Sequence, residues 1–180
     1  MISWQLFLER KNGNYSYSST QVNLPDKLAK KIIEWGKKHI PDQDIYDNPD
    51  DNCGREDEIH TTVLYGLHTN EPSSISDVIE NFSEFKIKLT TVSKFSAEKY
   101  DVIKIGVESE KLHELNKKLA EFPNSNKYPS YIPHITIAYV LKDKCNKLVG
   151  DKNFEGEEFT ATHIVFSGTD HVKTPIKLKK

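Results

Sequence analysis

Two hexapeptides constrain this chain more than any other feature. His60-Thr61-Thr62-Val63-Leu64-Tyr65 and His134-Ile135-Thr136-Ile137-Ala138-Tyr139 share the pattern H-x-T-h-x-Y and start 74 residues apart. Both fall in predicted strands. Each follows a helical pattern and an irregular polar stretch, and each precedes a short helix. This repetition implies an internal duplication, with two pseudo-equivalent lobes contributing one motif each. In a strand, side chains at i and i+2 share a face. His60 therefore projects with Thr62, and His134 with Thr136. The alternate positions, Ile59, Thr61, Val63 and Tyr65 in one strand and Pro133, Ile135, Ile137 and Tyr139 in the other, are largely apolar and suit a core. On strict alternation Tyr65 and Tyr139 point into that core, while Leu64 and Ala138 follow the hydroxyls on the opposite face.

The remaining pattern mixes strands and helices in an order that predicts an α+β fold. Alternation predicts strands over 2–9 and 15–22, separated by an Asn12-Gly13 turn. Pro25 opens a helix that carries Leu28, Ile32 and Trp35 on one face and runs to His39. Further strands are expected at 59–67, 85–89, 100–108, 134–141, 158–167 and 175–178. Helices are expected at 72–82, 109–122 and 143–149.

Composition narrows the function classes. The 180 residues are 36% hydrophobic and include 18 aromatics, enough for the core of a single domain spanning 1–180. No stretch approaches the ~20 apolar residues of a membrane span. Met1-Ile2-Ser3-Trp4-Gln5 lacks a signal-peptide pattern. Cys53 and Cys145 form no CxxC, so neither a disulfide framework nor a zinc knuckle is indicated, and a reducing cytoplasm is the expected setting. The net charge of −2 argues against holding a long nucleic acid by bulk positive charge. That total conceals a division. Residues 42–58 hold eight acids and one base, while the rest of the chain carries 24 bases and 19 acids. The acidic stretch lacks calcium-loop spacing. It reads as a solvated surface loop, or as a flap leading into His60.

Two imidazoles and two hydroxyls around one cleft suit phosphodiester cleavage. A proton must leave the attacking oxygen and another must reach the leaving oxygen, and histidine does both near neutral pH. Threonine hydroxyls can donate to the non-bridging oxygens, where charge builds in the transition state. No metal or other cofactor is required, and neither motif is accompanied by H-x-x-x-H or H-x-D spacing. A lone H-x-T would carry little weight, but two with matching neighbours are hard to explain as structural coincidence. His39, His68, His113, His163 and His171 have no such pairing and are expected to be structural or at the surface.

The paired H-x-T motifs resemble the signature of the 2H phosphoesterase superfamily, whose members include bacterial RNA 2′,3′-cyclic phosphodiesterases, eukaryotic cyclic phosphodiesterases and phage enzymes. Gly54-Arg55-Glu56, Tyr65-Gly66-Leu67-His68-Thr69 and the run from Tyr131 to Val140 look most like phage members, among them anti-CBASS phosphodiesterases that degrade cyclic nucleotide signals of antiviral defence. Ile59 departs from that pattern, since similar phage sequences often have proline there. The resemblance implies a two-lobed, pseudo-symmetric fold with antiparallel sheets lining a central cleft and helices outside. It implies that His60 and His134 are the general base and acid, in an order left open, and that Thr62 and Thr136 bind the phosphate. Phe7, Arg55 and Tyr131 are candidate substrate contacts: Phe7 by strand parity, Arg55 as the one base of the acidic stretch, and Tyr131 as an aromatic leading into the second motif. The expected partner is a cyclic nucleotide or a short RNA end, bound by a monomer. The expected activity is hydrolysis of cyclic oligonucleotide immune signals. The alternatives are an RNA 2′,3′-cyclic-end phosphodiesterase and a non-catalytic cyclic-nucleotide sponge.

Overall fold

A computed structural model describes residues 16–48, 53–126 and 128–180. Phe7, the strand expected over 2–9 and the Asn12-Gly13 turn lie outside these residues. The described elements are β1 (Ser18–Asn23), α1 (Asp26–His39), β2 (His60–Leu67), α2 (Ser73–Glu80), β3 (Phe85–Ser96), β4 (Tyr100–Glu108), α3 (Glu110–Leu119), β5 (His134–Leu141), β6 (Glu158–Ala161), β7 (His163–Ser167) and β8 (Lys173–Lys177). The helix expected at 143–149 is a single 3-10 turn, Asn146–Leu148. Helix α1 follows Pro25 directly, with Asp26 in its first turn and Lys37, Lys38 and His39 in its last, each sign matched to the helix dipole.

All eight strands form one antiparallel sheet in the order β6-β3-β4-β5-β2-β1-β7-β8. The two motif strands are its central neighbours. One lobe runs outward as β2, β1, β7, β8 and the other as β5, β4, β3, β6. The expected strand over 158–167 is broken at Thr162, and its halves lie in opposite lobes. In a flat sheet β6 and β7 would stand six strand spacings apart, about 29 Å. One residue spans about 3.3 Å, so the sheet must curl until its flanks meet. A bridge between Ser83 and Lys179 ties those flanks together. The core lies between the sheet and its helices, with Ile32, Ile75, Ile79, Leu112, Leu115 and Leu119 fully enclosed.

The lobes match residue for residue around the motifs. In the first, Asn23, Val22, Gln21, Thr20 and Ser19 pair with His60, Thr61, Thr62, Leu64 and Tyr65. In the second, Gly106, Ile105, Lys104, Ile103 and Val102 pair with His134, Ile135, Thr136, Ala138 and Tyr139. Both registers skip the residue after the threonine, Val63 or Ile137. Each is a β-bulge, which inserts one unpaired residue and bends the strand. The bulges overturn strict alternation. Past each one the parity reverses, so Tyr65 and Tyr139 come to the histidine side and line the cleft there.

The motif strands pair with each other only at Thr61 and Ile135. Beyond that point they part, and connecting segments fill the gaps. Ile45 and Arg55 bridge to Val140 and Ala138 along β5, while Asn124 bridges to Leu67 along β2. Gly66, at φ +95°, makes a second irregularity in β2 and lies too close to the Ser125–Asn126 backbone for a larger residue to fit comfortably. The helices brace across the junction, α3 against β2 and α1 against β5. The Asn116 side-chain amide donates to the Val63 carbonyl at 2.7 Å. The Ile137 carbonyl accepts the Glu56 N–H at 3.0 Å. A Cβ on Gly36 would come within 2.9 Å of the Ile137 side chain, so glycine permits this close approach of α1.

The Asn116→Leu variant keeps the side chain's size but removes the donor to the Val63 carbonyl. It is expected to lose about 1–3 kcal/mol of stability, the cost of an unpaired buried acceptor, measured as a lower urea midpoint.

Candidate active site

The motif histidines have the same local hydrogen bond. His60 Nδ1 donates to the Glu58 carbonyl at 2.8 Å, and His134 Nδ1 donates to the Ile132 carbonyl at 2.8 Å. A carbonyl oxygen only accepts, so Nδ1 of each ring must carry the hydrogen. Nε2 is then the atom of each ring left to gain or lose a proton. The antiparallel central pair sets the two rings about a common centre, with Thr62 and Thr136 one register step beyond them. Thr62, His134 and Thr136 line a single cleft that encloses about 840 Å³, its open mouth included.

The surroundings of the two rings differ. Opposite Thr136 on β4 lies Lys104, while its counterpart opposite Thr62 is Gln21. Lys104 is only 6% exposed. Its ammonium donates to Ser93 Oγ at 2.8 Å and sits 4.2 Å from the centre of the Phe95 ring. Both contacts stabilise the cation, while burial lowers its pKa. Phe95 in turn meets the His134 imidazole edge-on, 4.8 Å between centres at 88°. Burial, followed by the positive charges of Lys104 and His60, lowers His134 to about 4 against the opposing effect of the Ile132 hydrogen bond. His134 is therefore neutral at pH 7. The Gln21 side chain instead donates to Asn23 at 2.6 Å and to the Glu58 carboxylate at 3.2 Å. Glu58 also pairs with Lys173.

The other candidates separate. Tyr131 forms part of the cleft wall. Its hydroxyl donates to the Thr62 carbonyl at 2.8 Å, and burial raises its pKa. It thus joins the segment entering the second motif to the first motif strand. Arg55 is not in the cleft wall. Its guanidinium donates to the carbonyls of Gly36 and Ile40 at the end of α1 and pairs with Asp42 at 2.7 Å. The acidic stretch is partly paired along β5 through Ile45 and Arg55, which a freely solvated loop would not be. Sequence parity missed Tyr65 and Tyr139, and it gave no reason to consider Lys104, Phe95, Tyr100 or Tyr128. The repeat itself held the clue to the first two, since tyrosine recurs at the same position of both motifs. His134 is the histidine of the cleft wall, and His60 stands beside it on the neighbouring strand. Elsewhere His39 stacks on Trp35, His113 meets Tyr131 edge-to-face, and His68 stacks on Tyr17. Among the described residues no group of His, Cys, Asp and Glu is arranged to hold a metal ion.

A curled antiparallel sheet with two H-x-T strands at its centre is the architecture of the 2H phosphoesterase superfamily, and solved structures bear out the likeness in fold. Escherichia coli LigT complexed with 3′-AMP superposes with a TM-score of 0.66 at 17% identity, covering 89% of this chain and 95% of that one. TT0787 of Thermus thermophilus gives 0.58 at 16% identity over 89% and 95%. Kluyveromyces marxianus Usb1 with uridine monophosphate gives 0.55 at 7% identity over 90% and 98%. Residues 20–178 match the family model described as anti-CBASS protein Acb1, and the chain belongs to that family. No curated protein matches it in sequence.

Two measurements check the asymmetry of the cleft. In Lys104→Met, the His134 pKa should rise, read from an NMR titration of the imidazole C–H signals; an unchanged value would mean that Lys104 plays no part. In the wild type, the folded state binds fewer protons than the unfolded chain between pH ~6.5, where an unperturbed histidine titrates, and about 4. Stability should therefore fall as pH drops through that window, and His134→Gln should flatten part of the decline in urea titrations.

Proposed function

We propose that the protein is a metal-independent phosphodiesterase that cleaves cyclic oligonucleotide immune signals in the cytoplasm of an infected bacterium. The carrying observation is the pair of imidazoles held by matching Nδ1–H bonds on adjacent central strands, with His134, Thr62 and Thr136 lining one cleft and His60 near enough to His134 to lower its pKa. Membership of an anti-CBASS family supports the choice of substrate. So do the small nucleotides in the LigT complex with 3′-AMP and the Usb1 complex with uridine monophosphate. The near-neutral net charge favours a compact substrate over long RNA.

The unequal surroundings support a division of the two proton-transfer roles. His134, kept neutral, is the general base for the first step, and its Nε2 takes the proton of the attacking oxygen. For a 3′–5′ linkage with a free 2′-hydroxyl, that oxygen attacks the phosphorus and the bond to the 5′-oxygen breaks. His60 Nε2–H donates the proton to the departing 5′-oxygen. Thr62 and Thr136 donate hydrogen bonds to the non-bridging oxygens, where negative charge accumulates. Lys104 contributes a fixed positive charge behind Thr136, and Tyr131 holds the Thr62 backbone in place. If the nucleophile is water acting on a 2′,3′-cyclic phosphate, the same groups serve.

Chromatography of cyclic di- and trinucleotides incubated with the protein should show linear products, undiminished by EDTA. His60→Ala and His134→Ala should each cut turnover at least ~100-fold, the usual scale of a lost general acid or base, with circular dichroism unchanged. Activity confined to RNA 2′,3′-cyclic ends would replace the proposed substrate. Recovery of intact cyclic nucleotide that remains bound would point to a sponge.

A further inference from the structure

The carbonyls that hold the two motif histidines are themselves held in different ways. His60 Nδ1 donates to the carbonyl of Glu58 and His134 Nδ1 to that of Ile132, in each case two residues before the ring. Neither residue belongs to a strand, because β2 and β5 begin at the histidines. The residues in between match. The Ile59 carbonyl accepts from the Leu24 N–H at 3.2 Å, as the Pro133 carbonyl accepts from the Val107 N–H at 3.3 Å. In the second lobe the proline ring confines Ile132 to extended conformations, which sets the direction of its carbonyl. The Ile132 side chain needs no anchor and is 47% exposed. In the first lobe Ile59 supplies no such restraint.

The side chain of Glu58 is anchored instead. Its Oε1 accepts from Gln21 Nε2 at 3.2 Å and from Asn23 Nδ2 at 3.4 Å, and its other oxygen pairs with Lys173. Gln21 and Asn23 pair across the ladder with Thr62 and His60 and stand on the same face of the sheet. The carboxylate is thereby pinned on the side of the ring whose hydrogen its own backbone takes. Of its three partners the ammonium adds least, since the Lys173 and Glu58 side chains are 36% and 41% exposed and such pairs contribute little. The buried Gln21 amide matters more. It donates to Asn23 at 2.6 Å and to Glu58, and without the carboxylate one of its hydrogens would lose its acceptor.

We propose that Glu58 is a positioning residue for His60: its anchored side chain fixes the direction of its own carbonyl and with it the orientation of the imidazole, as Pro133 does for His134. The catalytic consequence rests on the reading of His60 as a proton donor in a phosphodiester site. A ring released from its carbonyl would exchange between tautomers and present Nε2–H to the leaving oxygen only part of the time. Substrate contacts would be untouched, so the loss falls on kcat rather than on KM. The equivalence of the two anchors also means that proline at position 59 can replace the carboxylate. Among the described residues no backbone carbonyl accepts the Ile59 N–H, so proline there removes no ladder bond.

The test compares full-length Glu58→Ala, Glu58→Gln and the double variant Glu58→Ala with Ile59→Pro against the wild type. Turnover of cyclic di-AMP and of 2′,3′-cyclic AMP is measured, and imidazole ¹⁵N NMR signals are recorded under alkaline conditions, where imidazoles are neutral and their shifts report the tautomer. Glu58→Ala should lower kcat about tenfold with KM unchanged. Its His60 signals should leave the Nδ1–H form while those of His134 stay. Glu58→Gln keeps an oxygen for Gln21 and Asn23 and should recover most of both properties. The added proline should do the same. Glu58→Ala protein with wild-type kcat and wild-type His60 signals would overturn the proposal even if its urea midpoint fell, because the carboxylate would then serve stability alone. So would a loss that proline leaves unrepaired in a folded double variant. If the double variant does not fold, Glu58→Gln and the His60 signals decide. If the wild type cleaves neither nucleotide, the phosphodiesterase reading fails, and the His60 signals still decide the positioning.

Discussion

The junction of the two lobes rests on a single strand pair, Thr61 opposite Ile135. A longer ladder there would have been more stable in hydrogen-bond terms. It would also have held the two strands at the ordinary ladder spacing along their whole length. Pairing at one position brings the two histidines together and then lets the strands part. The unpaired edges still need partners, since buried backbone groups are costly to leave unsatisfied. Residues 45–46 and 54–56 supply them along β5, and residues 123–126 along β2. Long connections precede both motif strands, and each follows the opening of the sheet.

The bulges at Val63 and Ile137 complete this arrangement. A regular strand could offer histidine, threonine and then a third side chain at the same two-residue interval. The extra residue instead brings a tyrosine to the cleft one position later and turns Leu64 and Ala138 toward the apolar side, where both are buried. Each bulge is braced differently, by an amide donor from α3 at Val63 and by close packing of α1 at Ile137. The two lobes thus share the backbone geometry while their supporting side chains differ.

Much of this was legible in the amino-acid sequence because it is local. Leu28, Ile32 and Trp35 announce α1 by their spacing, and the two H-x-T strings mark strands whose polar positions share a face. The bulges were not legible. A bulge is a relation between two strands, and alternation within Thr62-Val63-Leu64-Tyr65 carries no trace of the register with Thr20 and Gln21. The same holds for the split at Thr162, which follows from closure of the whole sheet. Lys104 reads as one more lysine in an alternating strand until its register places it opposite Thr136. Arg55 attracted notice as the lone base among acids, yet its guanidinium satisfies carbonyls at the end of α1, a need that only the packed helix reveals.

Duplication alone would give two equivalent histidines, and equivalent groups are poorly suited to giving and taking protons in the same step. Proton transfer in opposite directions is favoured when one ring starts neutral and the other starts charged. The chain breaks its own symmetry at the register position facing each threonine, with Lys104 on one side and Gln21 on the other. Phe95 touches both the ammonium and the His134 imidazole, and the Lys104 charge acts directly on that ring. A cation this well buried also resists screening by salt. Its influence on His134 is therefore a fixed property of the fold, whereas the charges of the exposed Asp42, Asp47 and Asp57 vary in effect with ionic strength. The negative net charge of the molecule and the buried positive charge behind Thr136 are consequently independent.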